Sequence, residues 1–227
     1  MPRNRIKIFP ADGLRRSGQG RAFIGISLYD RPPGAINRLK AAMDWTTANA
    51  GPFDLFVGDY LNRHNYQAFA GMSESAAIIQ ARHEGARAID WLQHLVSDRG
   101  QDRPQILSAE HFYSDPTFTS RLHRLEQHYA KNAPFKTAIE GAVDAFLSRK
   151  HPEKRAEPEV RHHCVAYQLE ELALFELMTE AGYNVLVYAG AQLPVMKGLV
   201  MGQFKDISPA IEAMTLIEFR TFRDVTV

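Results

Sequence analysis

A serine follows a short apolar stretch near the start of the chain. The run Phe23-Ile-Gly-Ile-Ser27 predicts a strand that is buried on both faces, which is typical of a central strand in a parallel sheet. Gly25 interrupts the run, and a glycine inside a strand often marks a close approach of a ligand or another backbone. Ser27 lies near the carboxyl end of this strand, where open α/β sheets bind their ligands. The position fits a nucleophilic hydroxyl, and it also fits a buried serine that donates to a backbone carbonyl.

Two phenols and a carboxylate accompany this serine in the predicted fold. Tyr167 and Glu171 are four residues apart in a strongly helical segment, so they share one helix face. Tyr188 ends the next buried strand, near the same sheet edge as Ser27. Such a set suits acyl transfer: the serine takes the acyl group, the carboxylate holds or deprotonates an amine, and the phenols donate hydrogen bonds to developing charge. By spacing alone, a core tyrosine and a solvated glutamate explain the same helix residues.

Several established motifs are absent from the sequence. There is no phosphate loop ending in Gly-Lys-Ser or Gly-Lys-Thr and no Gly-x-Gly-x-x-Gly after the first strand, so ATP and dinucleotide binding have no support. Ser27 is not within Gly-x-Ser-x-Gly, the nucleophile elbow of α/β-hydrolases. The nine histidines lack a His-Glu-x-x-His spacing, and Cys164 is the only cysteine. We therefore expect no metal, no cofactor and no internal disulfide, and we interpret Cys164 as a small apolar residue on a helix.

The elements that carry these residues alternate between strands and helices. Besides the Ser27 strand, the sequence predicts strands over 6–9, 53–59, 105–109, 184–188, 195–201 and 216–222. It predicts helices over 36–49, 73–97, 116–131, 135–149 and 162–181, a short helix from 208, and a loop over 62–65. This alternation predicts one doubly wound α/β domain with a mainly parallel sheet.

Composition and charge fit a globular protein of 227 residues with 45% hydrophobic and 23% charged residues. No apolar run reaches the roughly 18 to 20 residues of a membrane span, and the amino terminus lacks the apolar core of a secretory signal, so we expect a cytoplasmic protein with no membrane contact. The net charge is only +1, yet residues 1–21 hold six basic side chains against Asp12 alone. This excess fits a polyanion contact or a solvated tail. We divide the chain into a basic segment, 1–20, and one domain, 21–227.

Five stretches, taken in order, resemble the tRNA-dependent cyclodipeptide synthases. They are Phe23-Ile-Gly-Ile-Ser27, Phe56-Val-Gly-Asp59, Tyr129-x-x-Asn132-x-x-Phe135, Tyr167-x-x-x-Glu171-x-x-Leu174-Phe175 and Val187-Tyr188. The ordered set is more specific than any one motif. The resemblance implies a single Rossmann-like domain, similar to the catalytic domains of class I tyrosyl- and tryptophanyl-tRNA synthetases. It also implies a monomeric enzyme that takes already charged aminoacyl-tRNAs and needs neither ATP nor a cofactor.

The resemblance also implies roles for individual residues. Ser27 would accept the first aminoacyl group as an ester, Glu171 and Tyr167 would hold its amine, and Tyr188 would assist at the reacting centre. A second aminoacyl-tRNA would then give a dipeptidyl-enzyme, and ring closure would release a 2,5-diketopiperazine. The matching substrate-binding positions are Phe23, Gly25, Asp30, Val57 and Leu174. Gly25 would form the floor of the pocket for the first aminoacyl group.

Two positions depart from the family pattern. One branch of the family has Asn at the third position after the serine and His after the strand tyrosine, and the other main branch has Pro after the tyrosine. This chain has Asp30 and Ala189 at these positions. We place it nearer the branch that lacks the Asn and Tyr-His signature.

The family holds tRNA on a basic helix surface. The matching helix here carries Arg82, Arg87 and Arg99, and we expect Arg121 and Arg124 to share the contact. Two other functions remain open from the sequence. One is a serine acyltransferase or hydrolase that acts without tRNA, and the other is a non-catalytic relative that binds tRNA.

Overall fold

One central sheet organises the fold. The computed structural model describes residues 3–16, 20–28, 35–189 and 193–222. Its strands are β1 (Arg3–Phe9), β2 (Arg21–Ile26), β3 (Phe53–Val57), β4 (Ile106–Ser108), β5 (Tyr183–Tyr188) and β6 (Thr215–Phe222). They form a six-stranded sheet in the order β1-β6-β5-β2-β3-β4.

The sheet is parallel except at one edge. The neighbours from β6 through β5, β2 and β3 to β4 pair in parallel, whereas β1 pairs antiparallel to β6. The predicted α/β fold with a mainly parallel sheet is therefore confirmed, and so is an edge strand at residues 6–9. Because β1 lies within the basic segment 1–20, that segment contributes a strand to the sheet.

Helices connect and cover the strands. They are α1 (Gly13–Arg16), α2 (Ala35–Asn49), α3 (Arg63–Ala70), α4 (Glu74–Leu95), α5 (Ala109–Tyr113), α6 (Phe118–Lys131), α7 (Ala133–Lys150), α8 (Pro158–Glu180), α9 (Pro194–Val200) and α10 (Pro209–Glu212). Short 3-10 turns cover Tyr60–Asn62, Ser97–Asp102 and Pro152–Lys154. Within the described ranges, none of the helices has the length and apolarity that crossing a membrane requires.

Strand β2 separates two hydrophobic cores. Phe23 packs in one core with Leu174 and Phe175 of α8, whereas Ile24 packs in the other with Leu92 of α4. Since side chains alternate along a strand, Gly25 and then Ser27 follow Phe23 on the α8 face. Helices thus cover both faces, as the doubly wound prediction requires.

The connection from α8 to β5 returns the chain to one edge of the sheet. α8 ends at Glu180, and Gly182 follows with φ 91°, a left-handed conformation that favours glycine. β5 starts at the next residue and runs back along the sheet. Tyr167 in the first half of α8 and Tyr188 at the end of β5 therefore lie at the same carboxyl edge.

Two predicted elements are wrong. The strand predicted over 195–201 is helix α9, in which Pro194 occupies the first turn and four apolar side chains recur at helical spacing. A short apolar run does not distinguish a strand from a buried helix. The loop predicted over 62–65 is helical, because the 3-10 turn Tyr60–Asn62 continues directly into α3. The polar side chains that indicated a loop are buried there.

Two helix boundaries also differ from the prediction. The helix expected to begin at Pro116 begins at Phe118, because the Asp115 carboxylate accepts a hydrogen bond from the Thr117 amide at 2.7 Å and forms a turn before the helix. The helix expected from His162 already begins at Pro158, and proline is favoured in a first helical turn. The longer α8 carries the residues of the candidate site in its interior.

Candidate active site

A cavity of about 870 Å³ opens where β2 and β5 end. Its walls come from these strand ends and from α7, α8 and α9. All four predicted catalytic residues line it: Ser27, Tyr167, Glu171 and Tyr188. Its volume lies within the range of about 300 to 1,000 Å³ that is typical of small-molecule sites. The fold therefore brings together three segments that are far apart in sequence.

Helix α8 supplies two of the lining groups from one face. Tyr167 and Glu171 are one turn apart, and the Tyr167 hydroxyl extends towards the end of β3, where a Cβ built on Gly58 would lie 3.8 Å from it. The Gly58 amide donates to the Ile26 carbonyl at 3.1 Å and joins the ends of β3 and β2. The Tyr167 hydroxyl thus lies beside the backbone that leads into Ser27.

Burial changes the acidity of both α8 groups. It raises the pKa of Glu171 to about 7. It also raises the pKa of Tyr167 well above the usual value, and negative charge on Glu171 and Tyr188 adds to the effect. Both side chains keep a partial exposure, as lining residues do. A carboxyl group with this pKa exchanges a proton near neutral pH, while the Tyr167 phenol stays protonated and is able to donate a hydrogen bond.

Gly25 faces the ring of Tyr188. The two residues are direct neighbours in the pairing of β2 with β5. A Cβ built on Gly25 would lie 3.1 Å from Cδ2 and 3.4 Å from Cε2 of Tyr188. Gly25 does not itself line the cavity. Its role as a pocket floor stays a prediction, and its contact in the structure is with a predicted catalytic ring.

The other predicted substrate-binding residues occupy different places. Phe23 and Leu174 are 0% exposed and share a core with Leu172, which lines the cavity. Val57 is also 0% exposed but belongs to the core on the opposite face of the sheet. Asp30 lies outside the described residues. Since none of the three buried side chains lines the cavity, their substrate-binding roles stay predictions.

The sequence reasoning missed several lining residues. Cys164 and Gln168 are one turn apart on α8 and flank Tyr167, while Asn65 of α3 and Arg149 of α7 line other parts of the wall. Cys164 is buried, and burial raises the pKa of its thiol to about 11. Helical spacing from Tyr167 and Glu171 was the available signal for the two α8 residues. No comparable signal marks Asn65 or Arg149.

Asp59, in the family-like stretch Phe56-Val-Gly-Asp59, has structural partners. Its carboxylate accepts hydrogen bonds from the Tyr60 amide at 2.8 Å, from the Glu110 amide at 3.3 Å and from the Ser108 hydroxyl. Gly85 of α4 packs against it so closely that a Cβ there would lie 2.5 Å from the Asp59 Cβ. Asp59 therefore ties the end of β3 to its neighbouring elements and does not line the cavity.

Two of the predicted tRNA-binding arginines lie on the exposed surface of α4. The side chain of Arg82 is 56% exposed and pairs with Glu110 at 2.5 Å. The side chain of Arg87 is 70% exposed and lies 3.3 Å from Glu84. Both guanidinium groups can therefore be reached from solvent.

The other three predicted arginines lie towards the amino ends of the strands. Arg99 pairs with Asp44, and its guanidinium lies 5.9 Å from the ring of Phe53, the first residue of β3. Arg121 pairs with Glu180 at the end of α8, and Arg124 pairs with Glu176. The structure thus does not gather the five arginines on one surface.

This arrangement is that of an α/β protein with a cavity whose lining groups suit acyl transfer. Ser27 offers a nucleophile, Glu171 a group that binds or exchanges a proton, and the tyrosines offer donors in a sheltered cavity. In the part of the chain that the structure describes, no group of His, Cys, Asp and Glu side chains is placed to hold a metal ion.

Comparison with known proteins agrees with this class. A family model described as cyclodipeptide synthase matches residues 17–204. The structure of a CDPS from Fluoribacter dumoffii has a TM-score of 0.78 and 19% identity, over 98% of this chain and 100% of that chain. A cyclodipeptide synthase from Candidatus Glomeribacter gigasporarum bound to Phe-tRNAPhe has a TM-score of 0.63 and 17% identity, over 91% and 90% of the two chains.

A more distant likeness concerns the fold. Tyrosyl-tRNA synthetase from Aeropyrum pernix has a TM-score of 0.57 and 13% identity, over 94% of this chain and 57% of that chain. This confirms the expected similarity in fold to the class I synthetases. No curated protein matches the chain by sequence.

The chain belongs to the cyclodipeptide synthase family, because the family match covers most of its length. The protein is accordingly an enzyme of the tRNA-dependent aminoacyltransferase class. The matched range contains Ser27, Tyr167, Glu171 and Tyr188. The assignment to one branch of the family stays a prediction that depends on Asp30 and Ala189.

Proposed function

We propose that the protein joins two aminoacyl groups, delivered by tRNA, into a cyclic dipeptide through a covalent intermediate on Ser27. The observation that carries the proposal is the convergence of Ser27, Tyr167, Glu171 and Tyr188 on one cavity. The family match supports the overall reaction. The order of the steps and the role of each residue are part of the proposal.

In the first step, the Ser27 hydroxyl attacks the ester carbonyl of one aminoacyl-tRNA. A new ester forms on Ser27, the bond to the terminal ribose breaks, and the serine proton passes to the ribose oxygen that leaves. Tyr167 and Tyr188 donate hydrogen bonds in this region, and Glu171 holds the ammonium group of the bound residue. A carboxyl group with a pKa of about 7 is suited to hold this ammonium and later to accept its proton.

In the second step, the freed amine of aminoacyl-Ser27 attacks the ester of a second aminoacyl-tRNA. A peptide bond forms, and the second tRNA leaves with a proton on its ribose oxygen. The amine of the new residue then attacks the Ser27 ester, which closes the six-membered ring and returns the proton to Ser27. Every bond that breaks is an ester already activated by aminoacylation, so the cycle requires no ATP, and the enzyme mainly supplies position.

Partners and location follow from this chemistry. The macromolecular partners are two aminoacyl-tRNAs, and a single chain carries all four proposed catalytic groups, so we propose a monomer. A substrate shared with the ribosome places the reaction in the cytoplasm.

Mass spectrometry of the purified protein, supplied with a full set of charged tRNAs, tests the proposal. We expect a diketopiperazine and an aminoacyl adduct on Ser27. Ser27→Ala should abolish both, whereas Glu171→Gln should allow some adduct while blocking later steps. Ester hydrolysis that is independent of tRNA would favour a simple serine hydrolase. Binding of tRNA with neither product nor adduct would indicate a non-catalytic relative.

A further inference from the structure

A buried cluster of charged and polar groups lies against α8, next to the proposed catalytic residues. We call it the Arg63 network, and it consists of Arg63, His64, Tyr113 and Glu170. Arg63 Nη2 donates to both carboxylate oxygens of Glu170 at 2.7 Å. The Tyr113 hydroxyl donates to Glu170 Oε2 at 2.5 Å, and His64 Nε2 lies 3.0 Å from Glu170 Oε1. Three elements, α3, α5 and α8, thus meet at one carboxylate.

The network is charged although it is buried. Arg63 is 9% exposed and Glu170 is 7% exposed. Burial by itself raises the pKa of Glu170, but contacts from His64, Arg63 and Tyr113 outweigh it and leave this pKa below the usual value. Burial likewise lowers the pKa of Arg63, and attraction by Glu170 and Tyr113 more than compensates. The pair is therefore an ion pair held away from water.

Burying an ion pair is a poor way to gain stability. Removing two charges from water costs several kcal/mol per ion in general. Apolar side chains of similar size in the same place often stabilise a protein equally well or better. Arg63 binds Glu170 through Nη2, while its Nη1 donates to the Tyr60 carbonyl at 3.0 Å and to the Tyr113 hydroxyl at 3.3 Å. A planar guanidinium held by both nitrogens provides something that apolar packing lacks, namely a fixed orientation of the charged groups. The distinctive effect of the pair is therefore the fixed orientation of Glu170.

Glu170 lies between the two α8 residues of the proposed site. It precedes Glu171 directly and follows Tyr167 by three positions, so all three belong to one turn of the helix. Glu170 points to α3 and α5, whereas Tyr167 and Glu171 line the cavity. Burial and the charges of Glu171 and Tyr188 raise the pKa of Tyr167, and Tyr113 of the network raises it further. The network therefore lies close to that phenol.

We propose that Arg63 and Glu170 are positioning residues, whose ion pair fixes the rotation of α8 so that Tyr167 and Glu171 face Ser27. This inference rests on the proposed function for its catalytic consequence. The geometric part of the inference, that the pair fixes the rotation of α8, is independent of the proposed function. Neither Arg63 nor Glu170 lines the cavity, so neither is assigned contact with the substrate.

The size of the expected effect follows from the geometry of group transfer. Misplacement of a reacting group by about 1 Å can reduce a rate by roughly 100-fold. Rotation of a helix by a few degrees moves a long side chain by a comparable distance. Removal of the Arg63–Glu170 pair should therefore reduce kcat by about 10- to 100-fold. The proposed tRNA contacts on α4 lie outside the cavity, so KM for aminoacyl-tRNA should change by less than about twofold.

Cys164 provides a readout that does not require turnover. It is the only cysteine, it lines the cavity, and it lies three residues before Tyr167 on α8. It is 7% exposed, and burial raises the pKa of its thiol to about 11, so the thiol should react slowly with a maleimide. Loosening of α8 should expose this thiol and increase its labelling rate by about 10-fold or more.

The test compares two double variants, each of which replaces by amides one ion pair that contains a buried carboxylate. Arg63→Gln/Glu170→Gln removes the charges of the network and leaves an acceptor for Tyr113. Arg21→Gln/Asp54→Asn is the matched control, because the Arg21–Asp54 pair, 2.8 Å apart, joins the first residue of β2 to a buried carboxylate on β3, away from the cavity. For each variant, kcat, KM, thermal midpoint and the Cys164 labelling rate are measured.

We expect both variants to lose thermal stability, and only the network variant to show the lower kcat and the faster labelling. An unchanged labelling rate would overturn the proposal whether or not the parent protein makes a product. Faster labelling with the parental kcat would overturn it as well. Faster labelling in a protein whose parent makes no cyclic dipeptide would support the geometric inference and refute the proposed function.

A milder substitution covers the case in which the network variant does not fold. Arg63→Lys keeps the positive charge, but its single nitrogen cannot bind Glu170 and also reach the Tyr60 carbonyl and the Tyr113 hydroxyl, as the two guanidinium nitrogens do. It should fold, with about a 10-fold lower kcat and Cys164 labelling between that of the parent and that of a loosened helix. Parental values of both quantities in this variant would overturn the proposal.

Discussion

The ring of Tyr188 lies over the backbone of Gly25, and a side chain on Gly25 would touch it. A Cβ built there would be 3.1 Å from Tyr188 Cδ2, a distance shorter than most contacts of real Cβ atoms. The two residues are direct neighbours in the pairing of β2 with β5, and Gly25 lies two positions before Ser27. The glycine thus lets a proposed catalytic ring lie close to the strand that leads into the nucleophile.

Gly25→Ala should consequently affect activity more than stability. The added methyl group would push the Tyr188 ring by a few tenths of an ångström, and we expect kcat to fall by about 10-fold. The free energy of unfolding should change by less than about 1 kcal/mol, because lower entropy of the unfolded chain offsets the crowding. Steady-state kinetics and urea denaturation measure the two quantities. A parental kcat would show that the ring position is not critical.

Glu171 should make stability depend on pH in a recognisable direction. Its pKa is raised from 4.5 to about 7 in the folded protein, so the folded state binds the proton more tightly than the unfolded state does. The associated stability is present below pH 4.5 and is lost as the pH rises through about 7. A pKa difference of one between the folded and unfolded states corresponds to about 1.4 kcal/mol, which gives roughly 3 kcal/mol as an upper value for the whole window.

Comparison with Glu171→Gln isolates this effect. The amide does not titrate, so the variant should gain stability relative to the parent between about pH 5 and about pH 8. Urea denaturation at a series of pH values measures the difference between the two proteins. A difference that stays constant over this range would mean that burial does not raise the pKa of Glu171.

The sequence predicted the strands, and the convergence of the four candidate residues on one edge of the sheet, better than it predicted the surroundings of the site. β2 and β5 are apolar runs that end near polar residues, and Tyr167 and Glu171 are related by local helical spacing. Val57 is different, because β3 is buried at every position and has no alternation that would reveal which face a side chain occupies. α9 is too short for its period to be recognised.

The Arg63 network lay beyond what sequence patterns can reveal. Arg63 and Glu170 are 107 positions apart, and only the folded chain brings them together. Each of these polar residues, taken alone, is typical of a solvated surface. Arg121 and Arg124, taken alone, likewise look like solvated surface cations, which is why the sequence predicts that they contact RNA. Their pairing with Glu180 and Glu176 depends on the packing of α6 against α8.

The exposed surface of α4 should contribute to tRNA binding. Reversal of both Arg82 and Arg87 to Glu removes two exposed cations, and it also leaves Glu110 and Glu84 facing new negative charges. We expect weaker binding, with the slope of log K against log salt reduced by roughly 2. Filter binding of charged tRNA at several salt concentrations measures this slope.

Arg103→Glu is the control for that charge reversal. Arg103 is exposed and precedes β4, so it lies at the amino edge of the sheet, away from the outer face of α4. Its reversal changes the net charge without changing the proposed tRNA surface. If each reversed charge changes the slope of log K against log salt equally in the control and in the α4 variant, the effect is one of net charge. The α4 surface would then not be assigned to tRNA binding.

Two glycines inside helices should respond to alanine in opposite ways. A Cβ on Gly85 of α4 would lie 2.5 Å from the Asp59 Cβ, so Gly85→Ala must displace α4 from the end of β3. We expect a loss of about 1 to 3 kcal/mol in the free energy of unfolding. Gly141 of α7 has no neighbouring atom within 4 Å of its Cβ position, so Gly141→Ala should gain about 0.5 to 1 kcal/mol from helix propensity. Chemical denaturation of both variants measures the two changes in the free energy of unfolding. A more stable Gly85→Ala variant would mean that Asp59 does not hold α4 in contact with β3.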